Sequence, residues 1–382
     1  MNRKNVVVIG VVAVLIAIGL GIWLGVYPPW GGQVEGELVI GAVLPLTGDA
    51  AIWGQNGKEG IDLAVEEVND AGGVMGMQLR VLYEDSQALP TIGLTGFRKL
   101  VDVNKVQIVI GDIASSVTFA MTPIAREKKV VIVSPGATNP DLSYEGSFFF
   151  RTWNSDIEEA TVAANFAYDD LTARKVDILY VNNDYGKGLA DAFTKVFEER
   201  GGKISIVEIF NQNDTDFRTQ LSKLMASESD IWYVASYPKE APLILRQAKE
   251  LGFDKQLLGT LTFEDPAIVD VAGDASEGVL YPYPLDPDPQ DSAVRHFHEA
   301  YRAKYNKAPG IAVDTSYDAI KMVCAAIEKV GGYSGEDVRQ GLNMLKDYHG
   351  ASGVMTFDEN GDVHKPIGIK MIRNGEFVWY QG

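Results

Sequence analysis

Twice along this chain, apolar strand-length runs alternate with amphipathic helices in the same order, and that alternation is the strongest constraint on the fold. Strands that read as near-continuous Val, Ile and Leu need cover on both faces, and the helices between them supply it. The first series has strands at "LVIGAVLPL", "LRVLYED", "VQIVIG" and "VVIVS". The helix after the first strand, "GKEGIDLAVEEVNDAGG", puts Ile61, Ala64, Val65 and Val68 on one face and stops at Gly72. A helix opened by Pro90 and another near Ser116 continue the pattern. The second series has strands at "VDILYVNN", "ISIVEIF", "DIWYVAS" and "QLLGT", separated by helices at "GKGLADAFTKVFEERGG", "DFRTQLSKLMASES" and "KEAPLILRQAKELG". An α/β protein of two similar lobes follows, each a parallel sheet flanked by helices. Near "FFFRTWNSD" and "GVLYPYPLDPDPQDS" the chain turns aromatic, acidic and proline-rich, as crossings between lobes do. Helical segments resume from about Ser292 to Lys346, and the last thirty or so residues read as short strands and turns, with Asn360 and Gly361 a type I′ hairpin signal.

The N-terminus carries a different message. After Arg3 and Lys4 an uncharged run extends from Val6 to Tyr27 and stops at Pro28 and Pro29. Roughly 22 residues at ~1.5 Å each make a helix of ~33 Å, enough for a ~30 Å hydrocarbon core. A retained transmembrane anchor is favoured over a cleaved signal helix, because no small-x-small cleavage site stands out in "IWLGVYPPWGG". Either way the rest of the chain is expected outside the cytoplasm: on the cell membrane if anchored, periplasmic or secreted if cleaved.

Net charge and residue counts remove several function classes. With 34 basic and 52 acidic residues the net charge is −18, and no basic cluster interrupts it, so nucleic acid is not an expected partner. The single cysteine, Cys324, rules out an internal disulfide and thiolate metal sites, and its helical context reads as core. All four histidines, His296, His298, His349 and His364, lie in the last quarter of the chain, and neither a nucleophile elbow nor a Walker loop is present. The expectation is no enzyme, no catalytic residue, no metal and no cofactor.

Binding has better candidates, all just past strand ends, where open α/β sheets hold their ligands. "GDIASSVT" puts Ser115 and Ser116 at a helix start, where free N–H groups and the positive end of the helix suit a carboxylate, although either serine can equally be a cap. "SPGATNP" adds the uncovered backbone of Gly136, Ala137 and Thr138 and the Thr138 hydroxyl. Trp53, Tyr185 and Tyr237 follow other strand ends and would wall a pocket.

The segments "IGAVLPLTGDAAIWGQNGKEGIDLAVEEVNDAGGVMGMQLRVLYED", "VIGDIASSVT", "SPGATNPDLS", "YVNNDYGKGLADAF" and "SYPKEAPLILRQAKELG", in that order, resemble the periplasmic Leu/Ile/Val-binding protein family of ABC-transporter solute receptors. The resemblance implies the type I periplasmic binding protein fold: two Rossmann-like lobes with parallel sheets flanked by helices, joined by a three-crossover hinge. It divides the chain into an anchor or signal segment and linker at 1–36, one lobe at 37–152 and 284–354, and a second at 153–283 and 355–382. It implies that Ser115, Gly136 and Thr138 hold the carboxylate and amino groups of a ligand, and that Trp53, Tyr185 and Tyr237 line the cleft. The family's acidic partner for the ligand ammonium is matched by Leu261, so either Glu264 takes over or the ligand has no ammonium. A pocket phenylalanine is matched by Ala312, which suggests a roomier pocket. The implied function is capture of a branched-chain amino acid or related small carboxylate for ABC permease subunits. The alternatives are a ligand sensor acting through a membrane signalling partner or, less favoured, a surface-tethered amidohydrolase.

Overall fold

A computed structural model describes residues 36–48, 50–145 and 148–382. The expected N-terminal membrane or signal helix lies outside these residues, and among the described ones no helix is long and apolar enough to cross a membrane.

The first lobe is built on β1 (Glu37–Leu44), α1 (Ala51–Asp70), β2 (Gln78–Asp85), α2 (Pro90–Arg98), β3 (Ile108–Gly111), α3 (Ser115–Lys128), β4 (Val131–Ser134), α4 (Leu142–Glu145) and β5 (Phe149–Arg151). The chain then crosses to the second lobe with α5 (Asp156–Asp169), β6 (Lys175–Val181), α6 (Asp184–Glu199), β7 (Lys203–Phe210), α7 (Arg218–Met225), β8 (Ile231–Ala235), α8 (Ala241–Glu250), β9 (Gln256–Leu258), α9 (Pro266–Ala272) and β10 (Leu280–Pro284). It returns as α10 (Ser292–Tyr305), α11 (Val313–Val330), α12 (Gly335–Met344) and the small ribbon of β11 (Tyr348–Gly350) and β12 (Gly353–Met355), and crosses a third time into the hairpin of β13 (Ile367–Arg373) and β14 (Glu376–Trp379).

Strand order in the first sheet is β2-β1-β3-β4-β5, every pair parallel. Period-two alternation sends Ile40, Ala42, Leu44, Ile108, Ile110, Val131 and Val133 to the core under α1, α11 and α12, while Val43, Val109 and Ile132 face the core that holds Phe97, Val117 and Met121 of α2 and α3. The second sheet runs β14-β13-β10-β9-β8-β6-β7, parallel from β10 to β7 and antiparallel at β10–β13–β14. Its parallel part repeats the order of the first. In each lobe the order therefore reverses direction beside the first strand, between β1 and β3 and between β6 and β8, and crevices at the carboxyl ends of such strands are where this architecture binds ligands.

Two expectations shift. The chain does not re-enter the second lobe at residue 355: Met355, Phe357 and Val363 pack into the first lobe's core, and only from β13 on does the chain join the second sheet. The Asn360–Gly361 turn does not make the hairpin, whose turn is instead Asn374–Gly375 between β13 and β14, both at positive φ (54° and 74°) as a type I′ turn requires. Asn360 and Gly361 belong to a tight loop on Asp358, which accepts from the N–H groups of Asn360 (2.8 Å) and Asp362 (2.9 Å) and so aims the Asp362 side chain inward.

Candidate functional site

Strand ends from both lobes meet at the seam. Trp53 lies in the first turn of α1, Ser115 opens α3, and "SPGATNP" leaves β4; across the seam, Tyr185 is in the first turn of α6 and Tyr237 follows β8. Trp53, Ser115, Gly136, Thr138, Tyr185 and Tyr237 line one chamber of about 20 Å3, closed by Ala50, Ile113, Ala114 and Leu261. Ser115, Thr138, Tyr185 and Tyr237 are all buried, so a solute can reach them only when the lobes part. The two tyrosine rings stack with centroids 5.4 Å apart and planes 8° from parallel. Their hydroxyls are fixed at the rear, Tyr185 with Thr260 Oγ1 at 3.0 Å and Tyr237 by Asn183 Nδ2 at 3.2 Å.

The loop's N–H groups converge on two hydroxyls. Ser134 Oγ donates to Asp112 O (2.7 Å) and accepts from the N–H groups of Gly136 (3.2 Å) and Ala137 (2.8 Å). Ser115 Oγ accepts from the N–H groups of Thr138 and Asn139, both at 3.2 Å. Such long neutral bonds give way readily to a carboxylate, since charge-assisted bonds are roughly twice as strong. Ser134 was missed by sequence reasoning because it reads as the end of a strand.

Ser116 and Ala137 do not line the chamber. Ser116 is not the helix cap either: the N-cap position is Ala114, and Ser116 Oγ accepts from the N–H of Asp184 in the other lobe at 3.1 Å. Asn139 Nδ2 donates to Asp184 O at 2.5 Å, so these contacts latch the lobes shut. Ala137 is buried in the core behind the loop.

Gly188 of α6 faces the same latch: a Cβ there would lie 2.4 Å from Asn139 Nδ2 and 3.3 Å from Pro140 Cδ. Gly188→Ala should strengthen α6 by about 1 kcal/mol through helix propensity while obstructing closure. The expected result is a ligand-free melting temperature that holds or rises and a solute affinity about tenfold weaker, from the cost of displacing Asn139. Unchanged affinity in titration calorimetry would mean that closure does not need this contact.

Beside the chamber, α5 contributes two buried carboxyl groups. Asp156 takes the Thr138 carbonyl with its own N–H at 2.8 Å. Burial pushes its carboxyl up to about 7, against the pull of the Thr138 hydroxyl and the Arg151 guanidinium. Glu159 accepts from the Leu261 N–H at 2.9 Å and is raised well above the usual carboxylate range, by burial first and by Asp156 second.

Glu264 is placed elsewhere. The 3-10 turn Leu261–Glu264 carries it away from the chamber, where it pairs with Lys370 and accepts from the Tyr281 hydroxyl at 2.6 Å. It lines a larger cleft of about 490 Å3 at the crossovers, together with Trp153, Tyr283 and Lys365. Its charge is already matched there, so it is not available to a ligand in the chamber. Ala312 does not reach the chamber; it is buried in a left-handed conformation (φ 65°) at the start of α11.

Comparison with known proteins agrees with this fold. A family model described as periplasmic binding protein matches residues 37–375. The Leu/Ile/Val/Thr/Ala-binding protein of Pseudomonas aeruginosa is 32% identical over 340 residues, 88% of this chain and 87% of that one. The crystal structure of a leucine binding protein from Thermotoga maritima superposes with a TM-score of 0.85 at 31% identity, covering 90% of this chain and 98% of the other. A branched-chain amino acid transporter substrate binding protein of Streptococcus pneumoniae, in complex with isoleucine, gives a TM-score of 0.81 at 28% identity, covering 89% and 97%. With a matching model over nearly all of its described length and relatives of this identity, the chain belongs to the periplasmic binding protein family, among its Leu/Ile/Val-binding members.

Proposed function

We propose that this protein is the extracytoplasmic solute receptor of an ABC importer, held at the membrane by its N-terminal segment, and that it closes its lobes around a branched-chain amino acid. The observation that carries this reading is the chamber itself. Ser115, Gly136 and Thr138 from the first lobe line it together with two stacked tyrosines from the second, so neither lobe alone completes a site. Ser115 and Thr138 would grip the solute carboxylate, Gly136 keeps the loop free of side-chain bulk, and Trp53, Tyr185 and Tyr237 would enclose the rest. Closure is favoured by whatever the solute binds more tightly in the shut form than in the open one. The relatives' names as leucine- and isoleucine-binding proteins support the solute class, and permease subunits are the partners that reading requires.

Titration calorimetry with L-leucine, L-isoleucine, L-valine and L-alanine should find at least one ligand near micromolar, about −8 kcal/mol. Ser115→Ala and Thr138→Val should each weaken it roughly 10- to 100-fold, the range for a lost hydrogen bond to a charged group. A panel in which nothing binds tighter than millimolar overturns the reading.

A further inference from the structure

Beside the chamber, α5 buries two carboxyl groups whose oxygens are left largely without hydrogen-bond partners among the described residues. Asp156 is fully buried and neither of its oxygens finds a well-aligned hydrogen-bond partner; Glu159 is nearly as buried and its Oε2 is likewise unmatched. The two lie one helical turn apart on the same face of α5, within mutual reach. The Thr138 hydroxyl next to Asp156 is also without a well-aligned partner. Buried carboxylates are costly unless paired, and the cationic side chain acting on Asp156 is Arg151. Arg151 is already committed: its Nε and Nη2 go to Asp362 at 2.7 and 3.0 Å, and Nη1 goes to the carbonyls of Ala137 and Asn139 at 3.3 and 3.0 Å. Among the described residues no cation is a cause of the Glu159 shift; its other oxygen accepts from the N–H of Leu261, a residue of the chamber wall. These carboxyl oxygens thus sit beside the loop that carries Thr138, whose carbonyl accepts from the Asp156 N–H at 2.8 Å.

The geometry points to Glu159, backed by Asp156 and the Thr138 hydroxyl, as the seat of a ligand ammonium, so that the solute is a zwitterion and not an amine-free acid. This rests on the receptor reading above. It also fits an apolar side chain at Leu261, since Glu159 of α5 meets that part of the wall at the Leu261 N–H, 2.9 Å from its Oε1.

The test uses L-leucine and 4-methylpentanoate, which share a carboxylate and a branched tail and differ in the amine. The intact protein should prefer leucine by about 100-fold or more. Glu159→Gln keeps an acceptor for the Leu261 N–H and removes the charge; it should fold, lose leucine affinity about 100-fold and leave 4-methylpentanoate unchanged or tighter. Asp156→Asn, as a second variant, should shift the ratio in the same direction. Equal binding of both probes by the parent, or a ratio unmoved in Glu159→Gln, overturns the ammonium seat while leaving a carboxylate receptor standing. Binding of neither probe, nor of any amino acid in the panel, overturns both readings.

Discussion

Asp362→Ala is expected to lower folding stability by about 3–5 kcal/mol, the range for a buried ion pair deprived of one partner. Arg151 is wholly buried, and Asp362 meets it in a two-pronged pair, Oδ1 to Nε at 2.7 Å and Oδ2 to Nη2 at 3.0 Å. The Ser143 hydroxyl adds bonds to both carboxylate oxygens at 2.9 and 2.7 Å. Without the carboxylate the guanidinium stays buried and unmatched. The loss extends beyond stability, because Nη1 of the same guanidinium holds the carbonyls of Ala137 and Asn139 and so sets the shape of the loop that carries Thr138. Thermal melting should show a drop on the order of 10 °C, and calorimetry a weaker solute affinity. The paired variant Arg151→Met with Asp362→Leu separates the two roles. Replacing a buried pair by apolar groups is often neutral, so melting should largely recover while affinity does not, since the carbonyls of the loop remain without their donor. A melting point of Asp362→Ala within about 2 °C of the parent would show that the pair carries little of the stability.

Much of this architecture was legible in the chain. Continuous Val/Ile/Leu runs between amphipathic helices dictate doubly covered parallel sheets, and strand ends rich in Gly, Ser and Thr mark where such sheets leave backbone accessible. Ser115, Gly136, Thr138, Trp53, Tyr185 and Tyr237 were singled out by that logic, and the structure places all six around one chamber. Glu264 went astray for a physical reason: its distance along the chain from Gly259 is short, but the intervening 3-10 turn redirects it to Lys370, a residue more than a hundred positions away. Asp156 and Glu159 were passed over because acidic residues in the first turn of a helix usually answer the helix dipole and face water. The signal that distinguishes them is phase. Asp156 and Glu159 fall on the stripe continued by Ala160, Ala163, Ala164 and Ala167, all buried, whereas Ile157 is exposed on the other side. Charges in phase with an apolar face are set to be buried, which is what the structure shows for both. Asn139 and Asp184 carry no such mark, since a latch between lobes depends on how two distant loops meet.

Acidification should stabilise the ligand-free protein and weaken its hold on leucine. Asp112 and Asp156 are pushed by burial from 3.8 to about 7, and Glu159 is raised well above the usual carboxylate range by burial and by Asp156. The charged or titratable groups facing the Asp156–Glu159 pair are Arg151, which pulls Asp156 down without cancelling the burial, and Tyr185 and Tyr233, both themselves raised. A carboxyl whose folded value is raised contributes stability that is complete below its unfolded value, near 4, and is lost as pH climbs through 7. The ligand-free melting temperature should therefore fall from pH 5 to pH 8, on the order of 5 to 10 °C, instead of holding its maximum near neutrality. His298, held below its ordinary value by burial, opposes this only weakly as a single half-buried group. An ammonium seated on Glu159 reverses the preference, because it needs the ionised pair; protons must leave as leucine enters. Below pH 7 leucine affinity should weaken by up to tenfold per pH unit for each proton released, and calorimetry in buffers of different ionisation enthalpy should read that release directly. In Glu159→Gln the pH slope should shrink, and for 4-methylpentanoate it should be flat or inverted. A leucine affinity constant from pH 5 to pH 8, with heats independent of buffer, would mean that the two carboxyls keep their protonation on binding and that no ammonium rests on them.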